Sequence, residues 1–129
     1  MSDIVVVGSL NMDLVVKTAR MPEPGETIIG QDFRLIPGGK GANQAAAVAR
    51  LGGKVSMVGR VGTDAFGPRL RENLAAQGVD TTFVRVDADA PTGTATIIVD
   101  AAGENRIIVV AGANGRVDAS DVYASEEVI

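Results

Sequence analysis

The sequence predicts an α/β fold: a central, mostly parallel β-sheet covered by helices, with a small second β-sheet set beside it. Three observations predict it. The apolar run Ile4-Val5-Val6-Val7-Gly8 has the pattern of a strand buried on both faces. A small-residue helix from Ala42 to about Leu51 leads into a second strand, Lys54 to Gly59, which makes a parallel strand–helix–strand unit with an insertion before its helix. Four short strands, within about residues 12–36 and 93–111, fall outside that unit.

Composition supports one globular unit. The 129 residues are 46% hydrophobic and 22% charged, while aromatics are 3% and Trp is absent. The core must therefore come from Val, Ile, Leu and Ala, which suits a parallel sheet under close-packed helices. A net charge of −4 without a basic cluster argues against nucleic acid as a partner. No apolar run approaches the ~20 residues of a membrane span, and Met1-Ser2-Asp3 lacks the positive region of a signal peptide. With no Cys and no His, disulfides, the usual zinc sites and His-based triads are excluded. Any chemistry rests on carboxylates, Lys, Arg, backbone N–H groups or a bound cation.

Taken in order, Leu14 to Lys17 continues extended after the first strand, and Thr18 to Gly25 is a Pro-rich connection. Thr27–Gly30 and Phe33–Ile36 read as short strands of one interrupted ribbon. Gly52-Gly53 closes the helix that ends near Leu51. Thr63 or Asp64 caps a second helix whose Phe66, Leu70 and Leu74 share one face, and Gly78 ends it. Thr82–Val86 is a third strand, and Asp87–Pro91 a polar turn. Thr94–Asp100 and Arg106–Val110 form a hairpin through Ala101–Asn105. A last helix opens at Asp118–Asp121 and is still running at Val128-Ile129, which favours a chain that continues in a longer protein.

The fold is organised around Ile36-Pro37-Gly38-Gly39-Lys40-Gly41-Ala42-Asn43-Gln44-Ala45. The glycines allow φ > 0 and a close backbone approach, and the helix that follows presents N–H groups beside Lys40 and Asn43. It is not a P-loop: Gly41 follows Lys40 where Ser or Thr is required, and Arg34 stands where an earlier Gly belongs. Nor is it a dinucleotide fingerprint, which would place Gly or Ala at Gln44. Asn11 and Asp13 lie just past the C-terminal end of the first strand, where open parallel sheets bind ligands. A solvated turn carboxylate is the plain alternative for Asp13, a surface cation for Lys40, a helix-capping amide for Asn43, and a permissive turn for the glycines.

These segments resemble the ribokinase-like family of carbohydrate kinases over essentially the whole chain. The matching motifs are Ile4 to Asp13, Pro22 to Thr27, Gly38 to Ala45, Val61 to Gly67, Thr92 to Ala95, Gly103 to Asn105 and Ala111 to Asn114. The resemblance implies a three-layer fold whose second sheet is a lid over a sugar. It implies transfer of the ATP γ-phosphate to the 5-hydroxyl of D-ribose, with Mg2+ and a monovalent cation (K+). The family positions that contact sugar correspond to Asn11, Asp13, Gly38, Gly39, Lys40 and Asn43. Ala95 and Val109 correspond to lid positions against the apolar face of the sugar. A cytoplasmic enzyme, homodimeric through its lid, is the matching expectation.

The family's catalytic Asp belongs to a Gly-Ala-Gly-Asp motif that is absent here; Gly112-Ala113-Asn114-Gly115 resembles it only in composition. The expectation is thus an N-terminal portion, residues 1–129, with sugar contacts but no catalytic residue, nucleotide-binding residue or metal ligand of its own. Three alternatives stand beside it. They are a non-catalytic sugar-binding or dimerisation module, a kinase for another furanose, and, poorly supported by the glycine spacing, a nucleotide-dependent oxidoreductase.

Overall fold

The structure, a computed structural model, describes residues 2–129. In chain order its main elements are β1 (Ile4–Val7), β2 (Asn11–Lys17), β3 (Asp32–Gly38), α1 (Lys40–Arg50), β4 (Val55–Gly62), α2 (Phe66–Ala76), β5 (Val84–Asp87), β6 (Gly93–Val99), β7 (Asn105–Val110) and α3 (Ala119–Ala124). A 3₁₀ turn, Gly112–Arg116, links β7 to α3.

One sheet has the order β1-β4-β5, and both of its pairings are parallel. The other has the order β3-β2-β6-β7, with β2 and β6 parallel and the outer pairs antiparallel. The predicted division into a parallel sheet and a separate four-stranded sheet therefore holds. The core lies where α1 and α2 meet β4 and the start of β2: Leu10, Met12, Ala45, Met57, Val61, Leu70 and Leu74 are all buried there. Each large apolar side chain so buried contributes about 1.5–3 kcal/mol relative to exposure. Alanines at 42, 45 and 46 keep the inner face of α1 flat. Its first turn comes so close to the β1–β2 connection that a Cβ at Gly41 would lie 2.9 Å from Gly8 Cα.

Four local expectations are corrected. β1 is not buried on both faces: it is an edge strand paired only with β4, and Ile4 and Val7 are 45% and 49% exposed. Thr27–Gly30 is not a strand, because the Pro-rich loop carries it clear of the sheet; Ile29 is exposed, and pairing resumes at Gln31, which donates to the Lys17 carbonyl. The third parallel strand starts at Val84 instead of Thr82, since Asp80 accepts hydrogen bonds from both the N–H and the hydroxyl of Thr82 and folds that segment into a turn. The last helix stops at Ala124, where the N–H and hydroxyl of Ser125 both turn back to the Val122 carbonyl; a short 3₁₀ turn, Glu126–Val128, follows. Asp118 caps that helix in a reciprocal capping box with Asp121.

Asp64 is the predicted helix cap and more. Its Oδ1 accepts from the N–H groups of Phe66 and Gly67, and its two oxygens take the hydroxyl and N–H of Thr92 at 2.7 Å each. Burial works to raise its pKa, but these bonds, led by those from Thr92, prevail and hold it below the usual carboxylate range.

Candidate sugar site

The four-stranded sheet sets the site by register. Asp13 on β2 stands opposite Ile36 on β3 and Ala95 on β6, and Ala95 stands opposite Val109 on β7. Directly opposed residues share a face, so Ile36, Asp13, Ala95 and Val109 form one row across the sheet. The predicted site residues Asp13, Ala95 and Val109 are thereby brought together. Two residues back along β2, on the same face, Asn11 is opposite Gly38 and Gly93. Asn11 and Asp13 thus lie within a strand, at its first and third positions, and not in a loop.

A carboxylate amid Ile36, Ala95 and Val109 is costly to ionise, and burial raises the pKa of Asp13 above its ordinary value. Among the described residues nothing donates a hydrogen bond to it. Its neighbour is Gly38, where an added Cβ would meet Oδ2 at 2.7 Å. At Gly39 φ is +98°, and a Cβ there would lie 2.6 Å from the Ser9 carbonyl oxygen. The close approach that requires this glycine is therefore to the chain's own backbone.

α1 begins at Lys40 with no side-chain cap. The N–H of Ala42 goes to the Ser9 carbonyl and that of Asn43 to Gly39, while those of Lys40 and Gly41 find no acceptor among the described residues. Lys40 and Asn43 are exposed one turn apart on this helix. Asn43 and Gly38 line a cleft of about 220 Å³ between α1 and α2, floored by Leu10, Ala42, Leu70 and Leu74. Asp13 does not line that cleft, so the predicted contacts are distributed over the sheet face and the mouth of the helix.

Two features escaped the sequence reading. Asn114, in the 3₁₀ turn, donates from Nδ2 to Asn11 Oδ1 at 2.8 Å and brackets the backbone of Leu10; its signal was the Ala-Gly-Ala-Asn segment. The other is a buried charge cluster. Arg60 on β4 donates to Asp121 on α3 at 2.9 Å and to Asp87 on β5 at 3.0 Å, while Arg85 binds Asp121 and Arg116 binds Asp87. Scattered singly through the sequence, these residues carried no spacing signal. They fasten α3 to the parallel sheet. Among the described residues no group of three or more Asp or Glu side chains is gathered in a way that would hold a metal ion, and no helix is long and apolar enough to cross a membrane.

Comparison with known proteins places the fold in a family. The profile described as pfkB family carbohydrate kinase matches residues 1–128. The ribokinase of Bacillus subtilis (strain 168) is 48% identical over 124 residues, covering 96% of this chain and 41% of that protein. The ribokinase of Mus musculus is 48% identical over 126 residues, covering 98% of this chain and 39% of its own. A solved structure of Arabidopsis thaliana ribokinase complexed with ribose and ATP superposes with a TM-score of 0.82 at 43% identity, over 88% of this chain and 37% of that one. The chain thus spans about two-fifths of the length of these relatives, and its fold is the corresponding part of the ribokinase-like fold.

Proposed function

Because the chain belongs to the pfkB family of carbohydrate kinases, we propose that it forms the sugar-binding and lid portion of a kinase that phosphorylates the 5-hydroxyl of D-ribose with ATP. The observation that carries this reading is the row Asp13–Ala95–Val109, in which a carboxylate that accepts no hydrogen bond among the described residues is set among apolar side chains on one sheet face. A furanose presents adjacent hydroxyls and an apolar ring face. Ionised Asp13 accepts from hydroxyls, and the Asn11 amide, Lys40 and Asn43 supply donors. Ala95 and Val109 cover the ring and exclude water, which strengthens the polar contacts beside them. Held this way, the 5-hydroxyl is positioned for attack, and positioning supplies much of the catalysis in phosphoryl transfer.

The proposed reaction also uses Mg2+ and a monovalent cation such as K+; when bound, MgATP supplies the phosphoryl group. The residues described here gather no carboxylate cluster for a metal, and the sequence has no Gly-Ala-Gly-Asp turn. A cytoplasmic location belongs to the same proposal.

A second reading is that this unit serves in dimerisation through the lid. It is favoured by β7, where Ile107, Ile108, Val109 and Val110 are 51–64% exposed along an unpaired edge. Equilibrium titration with ribose, ATP and NAD, combined with light scattering, separates the readings. We expect ribose binding that is lost in Asp13→Ala. Binding of NAD in place of ribose, or a stable dimer that binds no ribose, would overturn the sugar reading.

A further inference from the structure

We propose that Asn114 is a positioning residue that fixes which end of the Asn11 amide faces the sugar; this rests on the sugar-site reading above. Asn114 Oδ1 accepts the Leu10 N–H at 3.0 Å, and its Nδ2 donates both to the Leu10 carbonyl at 3.0 Å and to Asn11 Oδ1 at 2.8 Å. The polarity of a backbone N–H and C=O is fixed. Asn114 can therefore sit only one way round, since a flipped amide would face donor to donor and acceptor to acceptor at Leu10. With Asn114 locked, the only end of Asn11 that can meet its Nδ2 is Oδ1. The Asn11 amide nitrogen is thereby turned away from Asn114.

Two glycines make the lock possible. Gly93 stands opposite Asn11 in the β2–β6 register, and a Cβ there would fall on both Asn114 Nδ2 and Asn11 Oδ1. Gly112, with φ +54°, lets the 3₁₀ turn lie against the Pro91 carbonyl. The Thr-Gly-Thr and Ala-Gly-Ala-Asn segments thus act on one amide.

The consequence is a polarity code. Asn11 offers the sugar donors only, while Asp13, two residues along the same face, offers acceptors only. Such a pair matches two neighbouring hydroxyls, one accepting and one donating. A sugar lacking the oxygen that Asn11 meets leaves that donor unpaired, and the site discriminates against it.

The test begins with the wild-type protein, ¹⁵N-labelled. The Asn114 side-chain amide protons should exchange at least about tenfold more slowly than those of Asn11, because both are bonded internally. Asn114→Asp keeps the acceptor for Leu10 N–H and removes both donors, so Asn11 should turn its nitrogen inward. Ribose affinity should then fall about tenfold, and adding Asn11→Ala should cost nothing more. Against the singly deoxygenated ribose that is insensitive to Asn11→Ala, Asn114→Asp should also be silent, whereas a general structural defect weakens every analogue alike. Equal exchange at both amides, or additive losses in the double variant, overturns the proposal. If ribose fails to bind the wild-type protein, the sugar reading itself falls and this role with it; a protected Asn114 amide would then mark the lock as purely structural.

Discussion

The Asp13 carboxylate occupies the space that a side chain at Gly38 would fill, with its Oδ2 2.7 Å and its Oδ1 3.1 Å from the position of a Cβ built there. Gly38 is the last residue of β3, directly before the turn into α1, so the carboxylate leans across the sheet to the point where the chain enters the helix. The first glycine of the pair thus makes room for a charge, and the second makes a turn.

That division of labour gives contrasting outcomes for two similar substitutions. Gly38→Ala should displace the Asp13 carboxylate and weaken ribose binding about tenfold, the loss of one charge-assisted hydrogen bond, with little change in thermal stability. Gly39→Ala should instead cost about 1–3 kcal/mol of folding free energy, because φ is +98° and the new Cβ meets the Ser9 carbonyl. Melting curves and ribose titrations on both variants check this. Equal effects of the two substitutions on melting would refute it.

Asp13 itself should trade stability for binding. Its folded pKa lies above the unfolded value of 3.8 because burial disfavours the charge. In the window between the two values the folded state holds more protons than the unfolded state, so this group favours folding at low pH and opposes it once the pH rises through the folded pKa. Asp13→Asn removes that opposition. It should melt no lower than the parent at pH 7, and slightly higher, while ribose affinity drops about ten- to a hundredfold. A lower melting temperature together with unchanged ribose affinity would show that the carboxylate is structural.

Much of this architecture was legible because it rests on local patterns. The alanine-rich stripe of α1, the Phe66-Leu70-Leu74 face and the Arg106–Val110 return strand each follow from periodicity or turn chemistry within a dozen residues. The Asp13 row was legible only as separate residues. Its assembly depends on the parallel pairing of β2 with β6, which joins positions far apart in sequence and leaves no local trace. β1 was misread because burial of a strand depends on what lies beside it, and its outer edge is open. Arg60, Asp87 and Asp121 were invisible for a further reason: isolated charged residues normally stay in solvent, and only the folded chain gives them one another.

That charge cluster should make the C-terminal segment acid-sensitive. The N–H of Asp89, then Arg116 and Arg60, hold the Asp87 carboxyl down at about 2, against an unfolded value of 3.8. Asp118 is also held low, chiefly by the hydroxyl and N–H of Ser120. Stability from such depressed carboxyls is fully present above the unfolded pKa and is lost as pH falls through the folded one, so α3 should loosen between pH ~4 and ~2. Tyr123 on α3 is the one tyrosine in a sequence without Trp, so fluorescence anisotropy reports this segment alone. Arg116→Met should move its transition to higher pH with little effect on the circular-dichroism midpoint. A Tyr123 signal that changes only with global unfolding, in both proteins, would contradict this account.

The 129-residue chain assayed alone should transfer no phosphate from ATP to ribose. It carries the proposed sugar contacts, yet it has no Gly-Ala-Gly-Asp turn to receive the transferring phosphate, and it spans about two-fifths of its relatives' length. Its open surfaces point the same way. Among the described residues the outer edges of β1 and β7 are unpaired, and Ile4, Val7 and Ile107 to Val110 are exposed along them. Exposed apolar edges template strand addition, so light scattering should reveal self-association that grows with concentration. Adding the remaining portion of a family kinase, in one chain or as a folded complement, should restore turnover and suppress association by covering the β1 edge. The measurement is ribose-dependent ADP release by the short chain, with Asp13→Ala run in parallel to expose any contaminating kinase. Turnover that disappears in the Asp13→Ala protein would show that these residues hold a complete catalytic centre, and the assignment of phosphate transfer to elements outside them would be wrong.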